Sequence, residues 1–214
     1  MTLPTQIENE FAGLPPGRAV HRRWVNVVTG GHLSGVFWGR GAPEVVLLHD
    51  AGGSARSWDA VLSRLDLPAV AIDLPGHGRS NSGPAGDDRP ARAARPVIEA
   101  IRSFAPNHRV IAGQGLGALV ALAAAERAPA AVHRLVLIDT LPDASADDRH
   151  WAALAALSEP PLLILARLGV VGEDALARFR QQVPAGRIND IATERTEAPA
   201  AAIAAALTDQ EASS

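Results

Sequence analysis

The feature that most constrains this chain is a repeated alternation. Short apolar runs such as Val45–Leu48, Ala69–Ile72 and Leu162–Leu165 are separated by longer Ala-, Leu- and Arg-rich segments of helical period. Runs with no polar residue on either face fit only a sheet covered on both sides, and helices between successive strands make those strands parallel. The expected fold class is therefore α/β, a mostly parallel central sheet with helices on both faces. The reading opens with a hairpin, Trp24–Val28 and Gly35–Trp38, turned by Gly30 and Gly31. Strands follow at Val45–Leu48, Ala69–Ile72, Arg109–Ala112, Arg134–Asp139 and Leu162–Leu165, with a possible last strand at Arg187–Ile191. Helices are expected over 55–65, 90–104, 116–127, 147–157, 173–182 and 198–207.

With 214 residues the chain suits one domain, drawn as an N-terminal extension 1–16, a body 17–210 and a frayed tail 211–214. Composition removes whole mechanisms. There is no Cys, no Lys and no Tyr, so thiolate nucleophiles, disulfides, Cys-ligated zinc, Lys Schiff bases and a Walker lysine are all excluded. A net charge of −3 without a basic stripe argues against nucleic acid as a partner, leaving a small-molecule ligand or substrate and an open oligomeric state. No apolar stretch reaches the ~20 residues of a membrane helix, and Met1–Pro16 has no signal-peptide pattern. The expectation is a cytoplasmic protein with no membrane partner, no cofactor and no metal.

Three segments carry chemistry. "VVLLHDAGGSARSW" (45–58), "AIDLPGHGRS" (71–80) and "VIAGQGLGALVALAAA" (110–125) running on to "RLVLID" (134–139) together resemble the α/β-hydrolase superfamily in order and spacing. The resemblance covers roughly Trp24 to Asp139. It implies the α/β-hydrolase fold with a pocket at the C-terminal ends of the strands. Only Thr140 to Pro161 lies where such proteins often insert a helical cap, so the cap domain is expected to be absent or minimal.

The residues depart from the family's triad. The elbow that would hold a nucleophilic Ser reads Gly113-Gln114-Gly115-Leu116-Gly117, which puts Gly115 at the nucleophile position. None of the seven His lies beyond His150, so the general base that follows the family's last strand is missing. By register the acid position falls near Gly169 and the base position near Arg195. Losing triad members costs about 10⁴ to 10⁶ in rate.

What the resemblance leaves is backbone. The amides of Ala51 and Leu116 are expected to point at one spot and form an oxyanion or ligand-binding site, with Gln114 as a further donor. The bland alternative is that these glycines only permit tight turns and close packing. His49 and Asp50 end a strand at the pocket mouth, Asp50 where the family usually has Gly, and His49 is the best remaining general base. Asp139, at another strand end, is a third candidate. A competing reading takes Gly113-x-Gly115-x-x-Ala118 with Asp139 as a dinucleotide fingerprint. The function expected from these residues is non-hydrolytic chemistry (cyclisation, epimerisation or elimination) on a small organic, polyketide- or peptide-like substrate. The alternatives are a pseudohydrolase that only binds, an NAD(P)-binding protein, and residual ester hydrolysis.

Overall fold

A largely exposed strand and a buried one form the first hairpin. β1 (Val20–Asn26) and β2 (His32–Trp38) pair antiparallel, Asn26 opposite His32, around the turn that Gly30 and Gly31 close. The remaining elements in this computed structural model alternate: β3 (Val45–Leu48), α1 (Asp59–Leu62), β4 (Ala69–Ile72), α2 (Pro90–Phe104), β5 (Val110–Gln114) and α3 (Leu116–Arg127). They continue with β6 (Leu135–Ile138), α4 (Asp148–Ala155), β7 (Leu162–Leu165), α5 (Glu173–Gln182) and β8 (Arg187–Asp190). The structure describes residues 10–11, 13–14, 18–81, 89–167, 170–191, 204–205 and 207–208.

All eight strands lie in one sheet, ordered β1-β2-β4-β3-β5-β6-β7-β8. The β1–β2 and β2–β4 joints are antiparallel, and every joint from β4 to β8 is parallel. Successive residues of one strand serve opposite faces. Val46 and Leu48 of β3, with Val70 and Ile72 of β4, pack under α2 and α3. Val45, Leu47, Ala69 and Ala71 face the other side, against Trp58, Leu62 and Leu65. Burial of both faces is why these strands read as unbroken apolar runs.

The crossover α3 lies hard against the sheet. A Cβ on Gly117 would come 2.2 Å from the Leu48 carbonyl oxygen, so glycine there sets the distance between helix and strand. Between β6 and β7 the chain inserts only α4 and its flanking loops, and no cap domain stands among the described residues.

Several expectations need correction. β1 begins earlier than the apolar residues suggest, because it is a sheet edge whose pattern of exposure leaves polar side chains in water, and β2 begins at His32 rather than Gly35. The helix expected over 55–65 is a 3-10 turn, Ala55–Trp58, followed by a single α-turn. Its first amide, Ala55 N, donates to the buried Asp73 carboxylate at 2.7 Å, which ties the segment to the end of β4. β5 runs two residues further than expected, into the glycine motif itself. The tail 211–214, most of the extension 1–16 and most of the helix 198–207 lie outside the described residues. Within the extension Glu10 is not detached: it takes a hydrogen bond from Arg22 Nε at 3.0 Å, and Arg22 bonds Asp73 at 2.6 Å. No helix among the described residues is long and apolar enough to cross a membrane.

Candidate active site

Four parallel strands end side by side at one rim, and each hands its chain to a loop: His49-Asp50-Ala51 after β3, Gly115 after β5, Asp139-Thr140 after β6 and Ala166-Arg167 after β7. Above them lies a cavity of about 630 Å³, walled by Asp50, Gly115, Asp139, Thr140 and Arg167 among others. This is where open α/β sheets place ligands.

Gly115 turns the chain between β5 and α3 with φ +51° and ψ −122°, a left-handed conformation that L side chains rarely adopt. Its amide donates to Thr140 Oγ1 at 2.8 Å, and that hydroxyl donates to the Ile138 carbonyl at 2.8 Å. The amides of Ala51 and Leu116 converge on one point. The point is filled: both donate to Asp50 Oδ1, at 2.7 and 2.8 Å. A Cβ on Gly115 would stand 1.7 Å from that oxygen and 2.0 Å from the carboxyl carbon. The Asp50 carboxyl therefore occupies the volume an elbow side chain would need, and the two residues exclude one another's alternatives.

His49 is brought next to the site but not into it. It is 1% exposed and does not wall the cavity. Its Nε2 accepts from Leu74 N at 3.0 Å, so Nδ1 carries the proton and donates to the Asp50 carbonyl at 2.7 Å. Burial pushes its pKa below the ordinary histidine value. With both nitrogens engaged inside the fold, His49 anchors the backbone of Asp50, which corrects the expectation of a general base.

Asp139 does wall the cavity, yet its carboxylate is fully engaged. Oδ1 accepts from Ala166 N and Arg167 N at 2.6 and 3.0 Å, and Oδ2 from Arg167 Nε at 2.9 Å. Its backbone has φ +50°, the one positive value at a non-glycine among the described residues. The strain is held by Asp139 N donating to the Ile164 carbonyl at 2.8 Å. Gln114 is half-buried at the end of β5 and is not among the residues walling the cavity, so the structure does not place it as a ligand donor. Gly169 and Arg195 lie outside the described residues. Sequence reasoning passed over Thr140 and Arg167. Both stand at the first or second loop position after a parallel strand, and that position was the available signal. No group of three or more His, Asp or Glu among the described residues is arranged to hold a metal ion.

The match to the Alpha/beta hydrolase family model runs over residues 45–212. The chain belongs to the alpha/beta hydrolase family. Among curated proteins it is similar to Esterase Rv0045c of Mycobacterium tuberculosis, 40% identical over 59% of this chain and 42% of that protein. It is also similar to a pimeloyl-[acyl-carrier protein] methyl ester esterase of Methylococcus capsulatus, 38% identical over 56% of this chain and 45% of that one. The chain thus matches less than half the length of these curated relatives. Among solved structures a refined M. tuberculosis Rv0045c esterase superposes with a TM-score of 0.75 at 22% identity, covering 95% of this chain and 96% of that one. That likeness shows the fold. The curated relatives are named esterases, a finding that overturns the expectation of non-hydrolytic chemistry and its pseudohydrolase alternative. The dinucleotide reading falls as well, because the Asp50 carboxylate already takes the Leu116 amide at the start of α3.

Proposed function

We propose that this chain hydrolyses small carboxylic esters in the cavity above Gly115, without a triad serine. The observation that carries the reading is the cavity itself, set where the parallel strands end and built on a backbone shared with proteins named esterases. The missing serine follows from the sequence position, since Gly115 stands at the elbow and Asp50 fills the space a side chain would take.

The lining narrows the substrate. Asp50, Asp139, Asp143, Glu173 and Asp174 face the cavity with Arg167 as their one cationic companion among the described residues, and Arg167 is already bonded to Asp139. Such a wall repels anionic acyl groups and admits neutral or cationic esters. An adjoining cavity of about 370 Å³ shares Pro142 and Asp143 with the first and presents Leu119, Leu122 and Ala123, which suits a short acyl chain.

The test is release of p-nitrophenol from p-nitrophenyl acetate and butyrate by the purified chain. Saturable release above the buffer rate is expected, with no covalent labelling by a fluorophosphonate serine reagent and slower turnover of a succinyl ester. A folded protein whose rate equals that of buffer would overturn the reading.

A further inference from the structure

Resting on that hydrolytic reading, we propose that Asp50 is the group that activates the attacking water, its carboxylate standing in the volume vacated by the elbow side chain. Two departures from the family pattern meet at one point. Asp50 replaces a glycine in the loop after β3, and Gly115 replaces a side chain at the elbow after β5. The ideal Cβ of Gly115 falls between 1.7 and 2.5 Å from three atoms of the Asp50 carboxyl, so one group has taken the place of the other.

The carboxylate is held in a way that leaves it half free. Oδ1 is pinned by the Ala51 and Leu116 amides, and the Asp50 carbonyl is pinned by His49 Nδ1 and by Gly53 N at 3.0 Å. Oδ2 makes no hydrogen bond among the described residues, and Asp50 is exposed on the cavity wall. An oriented carboxylate with one open oxygen at a substrate cavity has what a general base requires. The two other candidates at the strand ends are less available, because both Asp139 oxygens are taken and His49 is closed inside the fold.

In the step, Oδ2 takes a proton from water as the water oxygen bonds to the ester carbonyl carbon and the π pair moves onto the carbonyl oxygen. Arg167 on the cavity wall is the cation available to that developing charge. The intermediate then collapses, the bond to the alcohol oxygen breaks, and the departing alkoxide takes the proton back from Asp50. The net change is ester plus water to acid plus alcohol, with Asp50 regenerated. Direct attack by Asp50 would instead leave an acyl anhydride, whose hydrolysis needs a base other than Asp50.

Asp50→Asn separates these possibilities, because an Asn oxygen still accepts from both amides and preserves the loop while the base is lost. The expected result is a fall in kcat/KM of about 10²- to 10⁴-fold, the usual contribution of general base catalysis, with the melting temperature little changed. A variant as active as the parent, or faster, would overturn the proposal and make Asp50 a plug in the amide pair. Should Asp50→Asn fail to fold, turnover of the unaltered chain in ¹⁸O-water decides. Label confined to the product acid, with no acyl adduct on the chain in rapid-quench mass spectra, supports the base, and an acyl adduct or label in the peptide containing Asp50 marks a nucleophile and overturns it. If the unaltered chain itself hydrolyses no ester, the hydrolytic reading fails first. If the chain is active and the variant equally so, only the role of Asp50 fails.

Discussion

Asp50 and Asp139 make an informative pair. Each follows a parallel strand, and each has Oδ1 clasped by two backbone amides, Ala51 and Leu116 for the first, Ala166 and Arg167 for the second. They part at Oδ2. In Asp139 it is closed by the Arg167 guanidinium and the residue is 5% exposed, whereas in Asp50 it opens on the cavity. Identical clasps thus produce a structural brace at one strand end and an available anion at the other. What separates them is one added cation and the depth of burial.

The widest gap between the two should appear in stability. Asp139→Ala strips the partner from two loop amides and from a strained turn, and an unfolding loss of about 2–4 kcal/mol is expected by urea titration. Asp50→Ala, at an exposed site where water can replace the carboxylate, should cost no more than about 1 kcal/mol in the same measurement. Equal losses at the two positions would erase the distinction. Next in size is Gly115→Ala, whose Cβ collides with the Asp50 carboxyl; a loss of about 1–3 kcal/mol is expected. Asp50→Gly in the same chain should return part of it, leaving only the backbone strain, and a double-mutant cycle reads this as a coupling of about 0.5–3 kcal/mol. Additive effects would mean that the two residues do not compete for one volume. Arg167→Ala removes a half-exposed ion pair and should change stability by less than about 1 kcal/mol.

The smallest effect concerns pH. His49 and His108 are both pushed below the ordinary histidine value by burial. An unfolded histidine binds its proton near pH ~6.5, so the folded state's advantage is full above that value and is lost as pH falls through the lowered folded values. The melting temperature should therefore decline on acidification below pH ~6.5, and Asp50's loop should sense it through the ring beneath. His49→Gln should make the decline shallower, and an unchanged slope would detach His49 from it.

Much of this architecture was legible because the parallel strands are buried on both faces. Val45–Leu48 and Leu162–Leu165 have no alternative use, and their order fixed where the site would lie. Polar β1 was harder to bound, since an edge strand owes little to burial, and the segment 55–65 bent to a contact with Asp73 that local pattern does not encode. At the site, the Ala51 and Leu116 amides converge on Asp50 Oδ1. That occupant could not be read from the motifs. Asp50 for glycine and glycine at the nucleophile position are separate departures in the sequence, and only the fold brings them within one carboxyl group's reach. His49 looked free for the same reason, because nothing local announces that Leu74 N will close its second nitrogen.

The short crossing from β6 to β7, with only α4 in it, also sets the traffic of the cavity. With only α4 in that crossing, the proposed hydrolysis should show no slow closing step, and a pre-steady-state trace should follow a single phase. The same openness gives little enclosed surface for holding a substrate, so Michaelis constants for the proposed hydrolysis should be high and discrimination among neutral acyl groups modest.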